Sequence, residues 1–369
     1  MARPVPVGRR NLVEDRRRFA LSIVGIGSGL LMVILMHAVL AGLTKQETAY
    51  LDAQAVDVLV SQRGVRTMQM SVSSVPEGTL ERVRATPGVA WAEPVRQMTT
   101  TVTIGDRQII TYLFGYDPSR GAGGPVSLSR GSSPRTDELV IDSAGAQQLG
   151  VGVGGTVTVL GRRLVVSGLT EGLTGIANTA SFVTAEQFRA LIGPGVNYIF
   201  VGGSPGISAE ALSQNLARAA PDVTVQTKAS FSAEEAAFVG DLYSDVVHTM
   251  IAIGFVIALA LVALSMSAVT SSKLRDYGVL KALGATRSKL VSAVVSQALW
   301  SLLVASCAAI AAAVALSAAI DHLVPNVDLV VEPGAVVATA VGAVVVGAPG
   351  ALLPLRRVLS VDPATAFRS

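Results

Sequence analysis

The chain has 369 residues, half of them hydrophobic and only 15% charged. Together with a mean hydropathy of +0.54, this composition indicates a membrane protein that also carries a sizeable soluble part. The net charge of +3 gives no indication of nucleic-acid binding, and the single cysteine, Cys307, excludes an intramolecular disulfide.

Four long apolar runs predict four transmembrane helices, over residues 19–43, 246–270, 290–320 and 333–355. Each run has the roughly 20 apolar residues that a helix needs to cross a bilayer. The first run is too long for the apolar part of a signal peptide, and no clear Ala-x-Ala cleavage site follows it. It is therefore interpreted as an uncleaved span.

The basic residues are sorted by side of the membrane. Lys and Arg cluster in residues 1–18, 271–289 and 356–369, whereas the loop 321–332 has acidic residues and neither basic type. Because short basic segments stay in the cytoplasm, both termini and the segment 271–289 are predicted to be cytoplasmic. Residues 44–245 and 321–332 are predicted to be extracytoplasmic. The predicted fold class is membrane α-helical, with four transmembrane helices and a large extracytoplasmic α+β domain between the first two.

The first span contains a pair of glycines, Gly25 and Gly29, about one helical turn apart. Small residues at this spacing let membrane helices approach each other closely. The pair predicts a helix contact, either with another span of the same chain or with a second copy.

The insert 44–245 alternates between short β-rich runs and short helical patterns. The two runs around Gly105 and Asp106 predict a β-hairpin, and the Gly-, Pro- and Ser-rich segment 119–135 predicts a mobile loop. The predicted strands cover residues 56–60, 99–104, 108–114, 138–141, 156–160, 164–169, 197–201 and 223–227. The predicted helices cover residues 144–149 and 209–219.

A charged segment, Lys273–Leu290, joins the second and third spans and carries five basic residues and one acid, Asp276. Its apolar residues recur every three or four positions, which predicts a short amphipathic helix that ends at Gly284. Such a helix, held against the membrane by two spans, is suited to receiving a push from a soluble partner. The alternative is a basic loop that only fixes the topology.

This segment resembles the coupling-helix signature of the FtsX/MacB-type ABC transporter permeases. The matching residues are Lys273, Asp276, Gly278, Lys281, Ala282, Leu283, Gly284 and Ala285. The family usually has Glu where this chain has Asp276. Residues 138–169 of the insert and the tail 355–369 resemble the same family.

The resemblance implies a permease subunit of the plasma membrane, with two copies that pair with two cytoplasmic ATPase subunits. The chain has no GxxxxGK[ST] phosphate loop, so ATP is expected to be bound by the partner. We do not expect an enzyme, because the insert has no histidine for a Ser-His-Asp triad. No cluster of Cys and His has the spacing of a zinc site, so no intrinsic cofactor or metal is expected.

Ionisable residues are almost absent from the predicted spans, where only His37 and His248 occur. A route for a hydrophilic solute normally needs polar groups that face an internal cavity. The spans therefore favour either a device that transmits motion or a transporter of hydrophobic or amphipathic molecules, such as a peptide, a lipid-like compound or haem.

Four residues, Met36, His37, His248 and Met250, are predicted to lie at a similar depth near the outer leaflet boundary. His and Met serve as axial haem ligands, and the haem-exporting HrtB-type permeases have a layout similar to that of this chain. The alternative is that the histidines are merely interfacial and that the methionines fill apolar gaps. A second class of function also stays open, that of an FtsX-like mechanotransmitter that transports nothing and regulates a cell-wall hydrolase.

Overall fold

The computed structural model describes residues 16–68, 71–174, 179–272, 286–323 and 329–345. These residues form two compact units. The first unit comprises the described residues of 16–41, 243–323 and 329–345, and the second comprises those of 42–242.

The described helices are α1 (Arg16–Ala53), α2 (Thr79–Arg84), α3 (Ser143–Leu149), α4 (Ala185–Ile192), α5 (Ala209–Ala219), α6 (Lys228–Ser272), α7 (Arg287–Leu323) and α8 (Pro333–Val345). The described strands are β1 (Val58–Gln62), β2 (Val89–Ile104), β3 (Arg107–Tyr116), β4 (Arg130–Gly131), β5 (Glu138–Asp142), β6 (Thr156–Val159), β7 (Arg162–Thr170), β8 (Thr179–Thr184), β9 (Tyr198–Gly203) and β10 (Val223–Thr227).

Three helices of the described chain are long and apolar enough to cross a membrane. They lie within α1, α6 and α7, over Ala20–Ala53, Lys228–Leu264 and Leu290–Ile320. This finding confirms the membrane helices of the predicted fold class. α8 is a shorter apolar helix, and residues 346–355 of the predicted fourth span lie outside the described residues, so the fourth span stays a prediction.

Two of these helices extend well beyond the spans that hydropathy predicts. α1 continues to Ala53, ten residues past the predicted end at residue 43, and α6 begins at Lys228 rather than at residue 246. Hydropathy reports only the part of a helix that is compatible with lipid. The predicted limits 19–43, 44–245 and 246–270 therefore mark changes in hydropathy and are not the ends of the helices.

The added turns of α1 are polar overall but still have one apolar face. Leu43, Tyr50 and Leu51 are buried there, and the separations of seven and eight residues from Leu43 place all three on one face of the helix. The same holds at the start of α6, where Phe231 and Val239 are buried. Packing on a soluble core thus explains why both helices continue.

The second unit is built on a ten-stranded sheet in the order β10-β1-β9-β2-β3-β8-β5-β7-β4, with β6 pairing with β2 and β7. β2 joins the two halves of the sheet, because its first residues pair with β9 and its later residues pair with β3 and β6. The pairs β3–β8 and β5–β7 are parallel. This arrangement agrees with the α+β domain that the sequence predicts.

Three apolar clusters hold the second unit together. One includes Val83 of α2 and Leu212 of α5 and covers the half of the sheet around β1 and β9. Another includes Leu149 of α3 and Phe188 of α4 and fills the other half. The third receives side chains from the adjoining turns of α1 and α6 and belongs to the candidate site described below.

The predicted hairpin is present, with Ile104 paired to Arg107 across the turn. Gly105 has a φ of 56°, a left-handed conformation that glycine adopts without steric cost. The predicted strand 99–104 is only the end of β2, which has 16 residues. Its first half escapes sequence analysis because Pro94 argues against a central strand. α5 and β10 have the predicted bounds.

Candidate functional site

The predicted coupling residues lie outside the described residues. They are Lys273, Asp276, Gly278, Lys281 and Gly284. The structure describes only the flanks of this segment, since α6 ends at Ser272 and α7 begins at Arg287. The role of the segment therefore stays a prediction.

The two glycines of α1 face α6 of the same chain. A Cβ atom at Gly29 would lie 2.9 Å from the Cβ of Ala258, and one at Gly25 would lie 3.6 Å from Cδ1 of Leu261. On the opposite helix, a Cβ at Gly254 would lie 2.9 Å from Cγ2 of Val33. Small residues on both helices thus permit a close approach.

The bundle of the first unit has an apolar interior with a few buried polar side chains. Ile26, Leu30 and Leu302 are among its buried residues. Gln297 and Ser301, one turn apart on α7, are buried as well, and Ser301 Oγ has no hydrogen-bond partner within the described chain. The outward faces carry many exposed large apolar side chains, as helices in lipid do.

Three elements bring ionisable groups together in the first unit. His37 of α1 is half-buried and lies within electrostatic range of His248 on α6 and of Glu332, which immediately precedes α8. Met36 is half-buried and Met250 is exposed. Among the described residues, no group of three or more His, Cys, Asp and Glu side chains is arranged to hold a metal ion.

In the second unit, the end of α1 and the start of α6 contribute to an aromatic cluster. The Tyr50 ring stacks on Phe114 with centroids 4.1 Å apart, and Phe114 stacks in turn on Phe182 at 5.4 Å. Phe231 of α6 meets Tyr198 edge to face at 6.2 Å. Aromatic pairs of this kind each add about 0.5–1.5 kcal/mol beyond the burial of their area.

Polar contacts tie the same two helix ends to each other. Lys228 Nζ donates to the backbone carbonyls of Asp52 and Gln54, at 2.7 Å in each case. Ser232 Oγ donates to the Asp52 carboxylate at 2.8 Å. These hydrogen bonds connect the first turns of α6 to the end of α1.

A small cavity of about 40 Å³ lies between these helix ends and the sheet. Its lining includes Glu47 of α1 and Glu235 of α6, and Glu235 accepts a hydrogen bond from the backbone N–H of Met68 at 2.8 Å. Burial, together with these two carboxylates, raises the pKa of the Tyr112 phenol. The volume suits ordered water rather than an organic ligand.

A second cavity of the same unit is much larger, at about 650 Å³. We call it the Trp91 cleft. Its lining comprises Ala53, Gln54, Ala55 and Val56 after α1, Trp91 and Glu93 of β2, Phe200 of β9, and Arg120, Gly121, Ala122, Pro125 and Val126 of the segment that follows β3. Its volume lies in the range of small-molecule sites, about 300–1,000 Å³.

The segment 119–135, predicted to be a mobile loop, is attached to the end of α1 through Gly123 and Gly124. Tyr50 Oη donates to the carbonyl of Gly123 at 2.9 Å. Gln54 donates to the carbonyl of Gly124 at 2.8 Å and accepts from the N–H of Gly123 at 3.1 Å. Buried partners thus satisfy the backbone of this part of the loop, and the mobility of the segment stays a prediction.

Sequence analysis missed Tyr50, Gln54, Arg120 and Phe231 as candidate residues. A signal for Tyr50 existed, because the helical spacing of Leu43, Tyr50 and Leu51 continues beyond the apolar run. Arg120 and Gln54 gave no signal, since their partners are distant in the sequence.

Two family models match the chain. The one described as FtsX-like permease C-terminal matches residues 249–363, and the one described as MacB-like periplasmic core domain matches residues 19–219. An uncharacterized ABC transporter permease of Mycobacterium tuberculosis, strain H37Rv, is 27% identical over 364 residues, which cover 97% of each chain. Another, of Mycobacterium bovis, is 26% identical over 360 residues, again 97% of each chain.

Two solved structures also align with the chain. The periplasmic region of MacB from Actinobacillus actinomycetemcomitans is 12% identical, with a TM-score of 0.38, and covers 50% of this chain and 94% of that one. The extracellular domain of the noncanonic ABC-type transporter YknZ from Gram-positive bacteria is 14% identical, with a TM-score of 0.36, and covers 47% of this chain and 98% of that one.

The membrane helices, the inserted α+β domain and the two family-model matches together define an ABC transporter permease of the plasma membrane. More particularly, the chain belongs to the FtsX/MacB-type permeases, since the MacB-like model alone matches more than half of it. The relatives above are described as ABC transporter permeases, and membership of this class implies a cytoplasmic ATPase partner.

Proposed function

We propose that this chain is the permease subunit that couples ATP hydrolysis by a separate ATPase to the export or extraction of a hydrophobic or amphipathic substrate. A peptide, a lipid-like compound and haem are the candidate substrates. The observation that carries the proposal is the continuity of α6, which is one helix from Lys228, beside the sheet of the α+β domain, to Ser272, beside the predicted coupling segment. A displacement at one end of an unbroken helix is transmitted to its other end.

The contacts of Lys228 extend this route to α1. Because its ammonium group holds the carbonyls of Asp52 and Gln54, a displacement of α6 acts directly on the last turn of α1. Tyr50 and Gln54 in turn hold the loop at Gly123. The route thus runs from the predicted coupling segment through α6 to α1 and to a wall of the Trp91 cleft.

The composition of the predicted spans favours a hydrophobic or amphipathic substrate. His37 and His248 are the only ionisable side chains in the predicted spans, so the membrane part offers little to a hydrophilic solute. The electrostatic proximity of His37 to His248 supports haem as one candidate. The alternative function, regulation of a cell-wall hydrolase without transport, is not favoured, because the match over residues 19–219 is to the MacB-like core domain.

The proposed assembly has two copies of the chain and two ATPase subunits, with both termini in the cytoplasm and the α+β domain outside. Single cysteines at Ser127 and at Ser272, in a Cys307→Ala background, test this orientation with an impermeant thiol reagent on intact cells. Labelling at position 127 alone is the expected result. Labelling at position 272 alone would reverse the orientation.

The coupling itself is tested at Gly278 and Asp276. The purified chain is reconstituted with its ATPase, and substrate-stimulated ATP hydrolysis and transport are measured for Gly278→Leu and Asp276→Lys, with Gly278→Ala and Asp276→Glu as matched controls. We expect Gly278→Leu and Asp276→Lys to uncouple hydrolysis from transport, whereas Gly278→Ala and Asp276→Glu should keep the two coupled. Normal transport and assembly in both test variants would refute the proposal.

A further inference from the structure

The Trp91 cleft has the chemistry of a binding site for an amphipathic anion. Its base and sides are mainly apolar, with Val56, Trp91, Phe200 and Val126 among the lining residues. Phe200 is fully buried, whereas Val126 is 60% exposed. A cavity of this volume, lined by aromatic and aliphatic side chains and only a few polar groups, is the usual form of a small-molecule site.

The polar end of the cleft is built around Glu93. Its carboxylate is nearly buried and forms a close ion pair with Arg120, and the guanidinium group of Arg84, which does not line the cleft, lies 3.7 Å from the same oxygen. The positive charges of Arg84 and Arg120 are balanced by Glu93 and Asp117. The side chain of Arg120 is 57% exposed, so its guanidinium group is the accessible charge of the lining.

Arg120 also retains donors for a ligand. A guanidinium group has five N–H donors, and the described contacts use one on Glu93 and place another 3.8 Å from Asp117. Asp117 does not line the cleft, and its carboxylate accepts from the N–H and the hydroxyl of Ser119, at 2.9 and 2.7 Å. An anionic group in the cleft therefore meets an accessible guanidinium rather than a free carboxylate.

The cleft is also connected to the first membrane helix. Ala53 and Gln54, the last residue of α1 and the one after it, form part of its wall. Another part of the wall comes from the loop residues on either side of Gly123 and Gly124. Three hydrogen bonds attach these two glycines to Tyr50 and Gln54. A ligand that separates or joins these walls acts on the end of α1 directly.

We propose that the Trp91 cleft binds an amphipathic anion, with its apolar body against Trp91 and Val126 and its anionic group on Arg120. Occupation of the cleft biases the end of α1. This assignment adds a ligand site to the proposed transport function. That the ligand serves as a transport substrate rests on the proposed function. Binding itself is independent of the ATPase and is measured without it.

The chain has two tryptophans, so a Trp300→Phe variant leaves Trp91 as the only one. This full-length variant, in lipid nanodiscs, is titrated with anilinonaphthalene sulfonate, which combines an aromatic body with an anion, and separately with its uncharged analogue phenylnaphthylamine. The readout is saturable energy transfer from Trp91 to the probe. A Trp91→Phe, Trp300→Phe double variant, which has no tryptophan, gives the probe signal that comes from lipid, and this signal is subtracted.

We expect saturable transfer with the anion and weaker transfer with the neutral analogue. Arg120→Gln should weaken binding of the anion about tenfold, as loss of a charge-assisted hydrogen bond does, and leave the neutral analogue unchanged. Ala55→Phe, which fills the cleft, and Val126→Glu, which repels an anion from an exposed position, should both abolish transfer. Val165→Phe, on an exposed position of β7, is the matched control.

Several outcomes would overturn the assignment. Absence of saturable energy transfer would show that the cleft does not bind the probe. Equal affinity for the two probes would show an apolar site that does not recognise the anion. Unchanged binding in Ala55→Phe and Val126→Glu places the probe elsewhere. Normal transport in the Gly278→Leu test would refute the transport function without affecting these readouts, so failure of the transport function and failure of the site are distinguishable.

Discussion

The Tyr50 ring lies on the Phe114 ring at a centroid distance of 4.1 Å and an angle of 23°, although Tyr50 belongs to a helix that begins as a membrane span. The Tyr50 side chain thus combines an apolar contact with the sheet and a hydrogen bond to the loop at Gly123. It is the residue through which α1 is most directly attached to the α+β domain.

Tyr50→Phe should remove the hydrogen bond and leave the buried carbonyl of Gly123 unpaired, at a cost of about 1–3 kcal/mol in the free energy of unfolding. Tyr50→Ala should cost about 3–5 kcal/mol, because it also leaves a cavity in the aromatic cluster. Unfolding of the α+β domain is followed by Trp91 fluorescence in the Trp300→Phe background. Equal stability of Tyr50→Phe and the parent chain would show that the hydrogen bond contributes nothing.

Lys228→Met keeps the aliphatic stem but removes the ammonium group that holds the carbonyls of Asp52 and Gln54. We expect the variant to assemble with the ATPase but to lose coupling about fivefold or more, in the range of typical allosteric coupling energies. Substrate-stimulated ATP hydrolysis is the measurement, and Lys228→Arg, which keeps the charge, is the control. A fully coupled Lys228→Met complex would exclude this link from the route.

Gly25→Ala and Gly29→Ala form a matched pair on α1. A Cβ at Gly29 would lie 2.9 Å from that of Ala258, whereas one at Gly25 meets Leu261 at an ordinary contact distance of 3.6 Å. Gly29→Ala should therefore destabilise the bundle by about 1–3 kcal/mol, as overpacking does, and Gly25→Ala should be nearly neutral. Thermal unfolding in detergent compares the two. The reverse order of stability would contradict the described packing of α1 on α6.

The buried carboxyl group of Asp142 should make the stability of the α+β domain depend on pH. It caps α3 by accepting from the N–H of Ala144, and it also accepts from the N–H of Leu173 and the hydroxyl of Thr174. Burial raises its pKa despite these hydrogen bonds. Because this pKa is higher in the folded than in the unfolded chain, the contribution of Asp142 to the free energy of unfolding is fully present below the pKa of Asp in the unfolded chain, about 3.9. It is lost as the pH rises through the pKa of the folded state.

The free energy of unfolding of the α+β domain should therefore fall with rising pH, above about pH 4, more steeply in the parent chain than in Asp142→Asn, whose side chain does not titrate. Trp91 fluorescence in denaturant at a series of pH values measures the difference. Parallel pH profiles for the two proteins would contradict a raised pKa at this position.

The haem candidate is tested by titrating the purified chain with haemin and following the Soret band. If His37 and His248 are ligands, His37→Ala and His248→Ala should each change the spectrum and weaken binding by about tenfold or more. Met36→Leu and Met250→Leu examine the two predicted methionine ligands. An unchanged spectrum in both histidine variants removes these residues as ligands and favours a peptide or lipid-like substrate.

The sequence by itself determined the membrane helices, the hairpin at Gly105, the bounds of α5 and β10, and the family resemblance. All of these depend on local properties, namely apolar length, residue spacing and short motifs. The proposed roles of Lys273, Asp276, Gly278, Lys281 and Gly284 still rest on the sequence and its resemblance.

Only the tertiary structure decided where α1 and α6 end and what their ends contact. Tyr50 and Gly123 are 73 positions apart in the chain, and Lys228 reaches Asp52 over 176 positions. No local pattern records such pairs, because hydropathy falls to that of a soluble segment as soon as a helix leaves the lipid. The packing of a polar helix end on a distant aromatic cluster depends on the folded sheet, and so does the attachment of the loop at Gly123 to Tyr50 and Gln54.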